Sequence, residues 1–469
     1  MRKILSPIIL LLLAWPALAQ QQARQMSLED AIQYALTESI KIKNAQIAIA
    51  DAEQQIIERR AAGIPQLSGS VQYTHYLKVP RQPLPEGFDI FNIFGQALAV
   101  DLYDQLSENT QAALDNAFQG SNGGSSDGIA FFLKNNFTAG LNLDAMVFDG
   151  SYFVALRAAR EFRTYTTREF ATKKREVENA VIEAYLPVLL IQENIELLDK
   201  NISNLEQLFF ETKELYKAGF AEQLDIDRQE LSLSNLQAER DNLRRQKEVA
   251  MENLKFNMGY PLDEPLVVSD DLNLMLTDAT PDALAANFDP SRRPEFELLD
   301  QAITMNELNI KLNQAGYLPS LRAFGTYQQQ YQGDDLKNGF WAPSAFVGLS
   351  LNVPIFDGLE KKAKIERARL DLELARNQKE DLGRAITLEV KNARTNYLNA
   401  SQRLQSQQKN LALAGRIYET TQVKYREGVG SSLEVTQAEQ SLYASQSNYM
   451  QALYDLLLAK ARLDMALGN

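Results

Sequence analysis

Cysteine is absent from this sequence of 469 residues, and histidine occurs once, as His75. The lack of cysteine excludes disulfide bonds, thiolate metal sites and a cysteine nucleophile. Because His75 lies in a predicted strand and is the only histidine, we expect neither a His-based catalytic triad nor a zinc site. The sequence also contains no phosphate-binding loop and no dinucleotide fingerprint. We therefore expect neither an enzyme nor a cofactor.

Acidic residues outnumber basic ones by 61 to 48, and the one long apolar run of the sequence lies at the N-terminus. The formal net charge of −13 disfavours binding to nucleic acid. Arg2 and Lys3 precede the apolar residues 4–14, and Ala17-Leu18-Ala19 supplies a small-residue cleavage site. Residues 1–19 are therefore predicted to be a signal peptide. The alternative is a membrane anchor, but the apolar run is too short to span a bilayer.

Two parts of the sequence repeat each other. Phe148-Asp149-Gly150 recurs as Phe356-Asp357-Gly358, 208 residues later. Residues 215–226, which include Gly219, are matched by residues 424–435, with Gly428 209 residues after Gly219. Duplication of one supersecondary unit places the function in the repeated architecture rather than in a unique pocket. We predict a first repeat over 20–258, a linker over 259–292 and a second repeat over 293–469.

Four segments alternate between apolar and polar residues. They lie at about 67–77 and 137–147 in the first repeat, and at about 320–331 and 344–355 in the second. In the second segment Phe137, Leu141 and Val147 share one face, whereas Thr138 and Asn142 share the other. Period two over about ten residues is typical of a transmembrane β-strand with apolar residues toward lipid. A half-buried strand of a soluble sheet is the alternative.

Four strands cannot close into a barrel, and an open edge is not tolerated in hydrocarbon. If these strands span a membrane, several copies of the chain must share one barrel. Two copies would give a barrel of eight strands, whose interior is filled by side chains. A conducting pore therefore favours three copies and twelve strands. Residues 78–136 separate the first two strands. This segment is either an external loop that partly caps the channel or a disordered excursion.

Helical periodicity follows each Phe-Asp-Gly. Val181, Val188 and Ile202 belong to a heptad series in the first repeat, and Val435, Leu442 and further residues continue one in the second. Sustained heptads predict long helices packed as coiled coils. We place them at about 151–218, 222–258, 359–427 and 431–467. Gly219 and Gly428 stand where a helix C-terminus favours a left-handed residue.

Together these features resemble the TolC-like outer-membrane efflux family. The resemblance rests on Pro354-Ile355-Phe356-Asp357-Gly358, on Arg293-Pro294-Glu295 and on the two Tyr-x-x-Gly turns, in this order and spacing. It implies an α+β membrane protein, a homotrimer with a twelve-stranded β-barrel and an α-helical barrel. It also implies the outer membrane of a Gram-negative envelope, with the helices extending into the periplasm. The chain would be a passive duct that docks to a periplasmic adaptor coupled to an inner-membrane pump.

The same resemblance assigns site residues by position. The adaptor-binding tips correspond to Tyr216, Gly219, Leu224, Tyr425, Gly428 and Leu433, and the periplasmic aperture to Asp225, Glu434 and Gln437. Gly430 stands where some relatives carry a basic residue that holds the aperture closed, which predicts different gating. Three copies of Glu434 near an axis would repel each other and attract cations. The alternative for Asp225 and Glu434 is stabilisation of a helix N-terminus.

Other functions predict different architectures. An exit duct for small molecules and a type I secretion duct for polypeptides share all of the features above. A periplasmic adaptor predicts a single helical hairpin, and a structural coiled-coil protein of the envelope predicts no amphipathic strands. An exported hydrolase would require catalytic residues that the sequence does not group.

Overall fold

The computed structural model describes residues 24–82, 106–112, 129–130, 133–272, 274–275 and 288–468. The predicted signal peptide, most of the loop at 78–136 and part of the predicted linker lie outside these residues. In chain order the elements are β1 (Arg24–Met26), α1 (Leu28–Glu38), α2 (Ile40–Ala61), β2 (Gln66–His75), β3 (Arg81–Gln82), β4 (Ile129–Ala130), β5 (Asn135–Asp149), α3 (Gly150–Lys217), α4 (Gln223–Met258), β6 (Leu266–Val268), α5 (Pro294–Ala315), β7 (Ser320–Gly333), β8 (Gly339–Asn352), α6 (Glu360–Arg426) and α7 (Ser432–Leu467). The mixture of long helices and β-structure that the sequence predicts is confirmed.

The described residues between 57 and 156, together with residues 312–361, form one compact unit, built on a four-stranded antiparallel sheet in the order β2-β5-β7-β8. β2 pairs with β5, and β7 pairs with β8, within each repeat. β5 also pairs with β7 over almost its whole length, so the two repeats share one continuous sheet. Between Met146 and Phe148 the register of this central pair shifts, and pairing resumes at Phe148 and Asp149, next to the start of α3.

The last strand begins earlier than its alternating pattern suggests. β8 starts at Gly339 rather than near 344, and Gly339 pairs with Gly333 at the end of β7. Asp335 accounts for the tight connection, because its Oδ1 accepts hydrogen bonds from the backbone N–H groups of Lys337 (2.8 Å) and Asn338 (2.5 Å). Such an Asx turn brings the two strands together within a few residues. The predicted tip loop is correspondingly shorter.

Pairing register divides the sheet into two chemically different faces. One face carries Leu67, Leu143 and Val347 in a single cross-strand row, and a row of Tyr73, Phe137, Tyr331 and Trp341 lies nearer the hairpin tip. The opposite face carries Ser68, Asn142 and Thr326. Aromatic rows that flank an apolar band are typical of strands that meet both lipid and the membrane–water interface.

The second compact unit is almost entirely helical. Its described residues are 24–56, 157–272, 274–275, 288–311 and 362–468. α3 has 68 residues and α6 has 67, which gives each a length of about 100 Å at 1.5 Å per residue. The heptad residues Val181 and Val188 are fully buried in the main hydrophobic core. Pro187 lies inside α3, which continues past it. None of the helices in the described residues is both long and apolar enough to cross a membrane.

A small parallel pairing anchors the beginning of the described chain. β1 pairs with β6 of the predicted linker. The buried Tyr185 hydroxyl of α3 donates to the carbonyl oxygen of Met26 at 3.0 Å, and Asp270 Oδ2 accepts from the backbone N–H of Leu28 at 2.7 Å. These bonds satisfy buried polar groups where three distant parts of the sequence meet.

The two Phe-Asp-Gly motifs both start a long helix, but in different ways. In the first copy β5 ends at Asp149 and α3 begins at the next residue, with Asp149 Oδ1 accepting from the Ser151 N–H at 2.8 Å. In the second copy Asp357 Oδ2 accepts from the Lys361 N–H at 3.1 Å. Each carboxylate therefore caps backbone donors that the first helical turn leaves unpaired.

Candidate functional site: the paired helix turns

The first turn lies between α3 and α4 and is shaped by Gly219. Its φ is +84°, in the left-handed region that glycine adopts without a steric penalty. The Gly219 N–H donates to the Tyr216 carbonyl at 3.0 Å, and the Phe220 N–H donates to the Leu215 carbonyl at 2.8 Å. These bonds satisfy carbonyl groups in the last turn of α3 and end the helix sharply.

The second turn, between α6 and α7, repeats this geometry. Gly428 has φ +73°, and its N–H donates to the Tyr425 carbonyl at 3.0 Å. The N–H groups of Val429 and Gly430 both donate to the Lys424 carbonyl, at 3.0 and 3.1 Å. At Gly430 an added Cβ would lie 3.1 Å from Lys424 Cβ, so the turn leaves little room for a side chain there.

The helices that follow the turns begin with different caps. In the first copy the Glu222 N–H donates to Asp225 Oδ2 at 3.1 Å, as part of a capping box. In the second copy Ser431 Oγ accepts from the Glu434 N–H at 3.2 Å. The carboxylate of Asp225 is thus used locally. The Glu434 side chain, like that of Gln437, is exposed, and the aperture role of all three residues stays a prediction.

The proposed tip residues differ in exposure. Tyr216, Leu224 and Leu433 are each between 43% and 50% exposed. Tyr425 occupies the position equivalent to Tyr216, yet it packs against a small core of Leu205, Leu208 and Val435. Its hydroxyl is buried without a hydrogen-bond partner among the described residues. Only the first tyrosine therefore presents a broad surface next to its turn.

Two exposed apolar residues at the turns are absent from the predicted site. Phe220 follows Gly219 and is 82% exposed, and Val429 follows Gly428 and is 78% exposed. Both are the residues immediately after the left-handed glycine, so they project from the turn in equivalent positions. The repeated Gly-apolar pair was available as a signal in the sequence, but exposure depends on the fold of the turn. The two turns therefore each expose one apolar side chain at an equivalent position.

Polar groups are buried between the helices below the turns. Gln229 Nε2 donates to Thr212 Oγ1 at 2.9 Å, and both residues are buried. On α7 the buried Glu439 accepts a hydrogen bond of 2.7 Å from the Tyr443 hydroxyl. Burial raises the pKa of Glu439, and the Tyr443 hydrogen bond opposes this shift. The helices near the turns are therefore held by specific polar contacts as well as by apolar packing.

The duplicated sheet and the capped helical hairpins define a class of proteins, the outer-membrane channels with long periplasmic helices. The model of the family described as outer membrane efflux protein matches residues 31–260 and 291–469. The chain belongs to this family. It is therefore an outer-membrane efflux protein, located in the Gram-negative outer membrane and extending into the periplasm. The family is one of channels rather than enzymes.

Individual relatives agree with this assignment. The chain is 23% identical to the alkaline protease secretion protein AprF of Pseudomonas aeruginosa, over 71% of this chain and 70% of AprF. It is 23% identical to the outer membrane protein TolC of Vibrio cholerae, over 71% and 76% of the two chains. It is 24% identical to the pyoverdine export outer membrane protein OpmQ of Pseudomonas aeruginosa, over 80% and 78%. The resemblance to TolC-like proteins is thus confirmed.

A solved structure shows the same fold. The outer membrane protein VceC of Vibrio cholerae aligns with a TM-score of 0.66 over 94% of this chain and 96% of VceC, at 15% identity. At this identity the similarity supports the fold alone.

Proposed function

We propose that the protein is the passive outer-membrane exit duct of a tripartite export system and that it works as a homotrimer. The observation that carries this proposal is the four-stranded sheet, which has one apolar face and two edge strands. Among the described residues, β2 and β8 each pair on one side only. In hydrocarbon every unpaired backbone N–H and C=O costs several kcal/mol. The edges must therefore be paired if the apolar face meets lipid.

Strand direction supports pairing between copies. All neighbours in the sheet are antiparallel, so β2 and β8 run in opposite directions. The β8 edge of one copy can thus pair antiparallel with the β2 edge of the next, and three copies form a closed barrel of twelve strands. The polar face would then line a water-filled passage. We extend the proposal to the helices, whose length of about 100 Å suits a tube across the periplasm.

The turns are the proposed contact with a periplasmic adaptor. The assigned tip residues remain Tyr216, Gly219, Leu224, Tyr425, Gly428 and Leu433. We add Phe220 and Val429 because both are exposed and occupy equivalent positions in the two turns. Asp225, Glu434 and Gln437 are proposed to lie at the periplasmic aperture, where three copies of an exposed acid would attract cations. An inner-membrane pump would supply the energy. The proposed organisation keeps a first repeat at 20–258, a linker at 259–292 and a second repeat at 293–469.

Small molecules are the proposed cargo, and polypeptides are the second candidate. The name of OpmQ specifies export of pyoverdine, whereas the name of AprF specifies secretion of a protease. Both relatives match this chain at similar identity. The two candidates share the duct and differ in the pump that it serves, so export of both kinds of cargo has to be measured.

A pair of variants on one strand tests the duct. Val347 lies on the apolar face of β8 and Ser344 on the polar face, and both are exposed in the single chain. Arg on a lipid-facing strand costs about 2–4 kcal/mol near the bilayer centre. Val347→Arg is therefore expected to abolish trimers in outer-membrane fractions, and Ser344→Arg to leave them intact. Cells without their own export channel should regain dye or protease export with the wild type and with Ser344→Arg only. Equal behaviour of the two variants would contradict the proposal.

A further inference from the structure

The polar face of the sheet carries three phenylalanines, and two of them, Phe324 and Phe346, lie next to each other. Phe324 on β7 shares this face with Thr326 and Gln328, because alternate residues of a strand point the same way. Phe346 on β8 pairs directly with Thr326 and therefore lies on the same face. Phe324 is 37% exposed and Phe346 is 51% exposed. Both rings thus meet solvent on a face whose other residues are mostly Ser, Thr, Asn and Gln.

The two rings form a pair. Their centroids are 6.3 Å apart and the ring planes are inclined by 74°, which is an edge-to-face arrangement. Phe324 lies opposite Gly348, and an added Cβ at Gly348 would be 2.5 Å from the Phe324 ring. The tip of the ring therefore occupies the space that glycine leaves. Phe346 stands beside it, and its partner in the register is Thr326 rather than glycine.

Covering a glycine is a known structural use of an aromatic residue in a sheet. This use explains Phe324, but it does not explain Phe346, which covers no glycine and is the more exposed of the two. Binding of a solute that removes exposed apolar surface from water is favourable. A pair of neighbouring, partly exposed rings is suited to stack a third ring.

Charged groups next to the rings are already paired with each other. Asp144 lies opposite Phe324 in the register, and its Oδ1 is 3.5 Å from Arg322 Nη1. On the polar face of β2, β5, β7 and β8 the ionisable side chains are these two and Asp149, whose Oδ1 accepts from the Ser151 N–H. Asp144 and Arg322 neutralise each other, and the Asp149 carboxylate is used at the start of α3, so aromatic surface is the distinctive feature of this part of the sheet.

We propose that Phe324 and Phe346 form a transient binding site for planar aromatic solutes inside the duct. The inference rests on the proposed function, because the polar face lines a passage only if the barrel closes. Three copies would then place three such pairs at one level of the passage. The site would slow aromatic solutes selectively and make the duct distinguish among cargoes of equal charge.

Block of ion current through purified full-length protein in planar bilayers tests this proposal. Ethidium is the aromatic cation, and tetraethylammonium is an aliphatic cation of equal charge. Both are added on the side of the hairpin tips, so that they reach the sheet without passing the helices. Phe346→Thr is expected to weaken block by ethidium roughly three- to tenfold, as loss of one aromatic contact predicts, and to leave block by tetraethylammonium unchanged.

Two further variants complete the experiment. Phe346→Leu keeps apolar volume and removes the ring. It is also expected to weaken block by ethidium alone, and it replaces Phe346→Thr if that variant does not insert into the bilayer. Phe340→Thr is the control, because Phe340 lies on the same face of the same strand, 56% exposed but six residues away. Unchanged ethidium block in both Phe346 variants, or equal weakening for both cations, overturns the aromatic site. Absence of any current from the wild type overturns the proposed duct instead, so the two failures are distinguishable.

Discussion

Arg426, the last residue of α6, lies 3.2 Å from Glu211 of α3, so an ion pair joins the second repeat to the first next to the turns. Lys217 occupies the equivalent place at the end of α3, 209 residues earlier, but it pairs at 2.6 Å with Glu214 of its own helix. The duplication has therefore kept a basic residue at both helix ends and changed its partner. Only the second copy uses it to connect two helices.

Arg426→Gln is expected to loosen two helices at once. The pair is partly exposed, so its loss should lower the free energy of unfolding by less than about 1 kcal/mol. Hydrogen exchange should nevertheless become faster in the last turns of both α3 and α6. Lys217→Gln is the matched control and should affect α3 alone. Faster exchange confined to α6 in Arg426→Gln would contradict a connecting role.

Phe220→Ser and Val429→Ser test the turns as a docking surface. If these side chains enter pockets of an adaptor, loss of the aromatic one should cost about 2 kcal/mol of binding free energy, or roughly thirtyfold in affinity. Cross-linking to the adaptor in membranes measures this. Phe256→Ser is the control, because Phe256 is equally exposed but lies at the far end of α4. Equal loss of cross-linking in Phe256→Ser would speak against a specific role of the turns.

Gly428→Ala and Gly415→Ala should change stability in opposite directions. Gly428 has φ +73° and open space around it, so an alanine there is strained by its backbone alone, by about 1–2 kcal/mol. Gly415 lies inside α6, also with open space, where alanine should stabilise by about 0.5–1 kcal/mol. Thermal loss of helical signal in detergent compares the two. Stabilisation by Gly428→Ala would show that the left-handed turn does not persist.

The buried Glu439 predicts a pH dependence of stability. Burial raises its pKa above that of an unfolded chain. Between the two pKa values the folded protein holds a proton that the unfolded chain releases. The free energy of unfolding should therefore fall as pH rises through this window. Above the raised pKa the folded protein should carry the full destabilisation from the ionised, buried carboxylate.

Glu439→Gln should remove that slope and stabilise the protein above the raised pKa. The amide can still accept the hydrogen bond from Tyr443, so the packing of α7 is kept. Unfolding by denaturant at several pH values measures the slope. Glu434→Gln, an exposed position on the same helix, should leave the slope in place. An identical slope in wild type and Glu439→Gln would refute the assignment to this carboxyl group.

Local sequence signals predict the helices well. Left-handed glycines act within one turn of chain, so Gly219 and Gly428 mark helix ends at Lys217 and Arg426. Heptad residues such as Val181 face a neighbouring helix whatever its identity, and Val181 is buried. These features depend on periodicity and on residues close in sequence, which is why they could be predicted.

Features that depend on distant partners were not predicted. Pairing of β5 with β7 joins segments more than 170 residues apart, and no local pattern specifies it. The inward position of Tyr425, in contrast to Tyr216, follows from packing against a cluster that α3 and α7 supply. The use of Asp225 in a capping box is local by contrast, because its partner Glu222 lies only three residues away. Sequence alone offered capping and the aperture as alternatives, and the aperture role still awaits a test.

Cross-linking between edge strands measures whether β8 of one copy pairs with β2 of the next, as a shared barrel requires. The natural sequence has no cysteine, so every disulfide formed comes from engineered positions. With Ser344→Cys fixed on β8, a second cysteine is moved along β2 from 66 to 75 and the protein is oxidised in outer membranes. A pair across β7 and β8, Gln330→Cys with Ala342→Cys, controls for closure within one chain. The account predicts covalent trimers at one register of β2. Only monomers at every position, from protein inserted in the membrane, would contradict it.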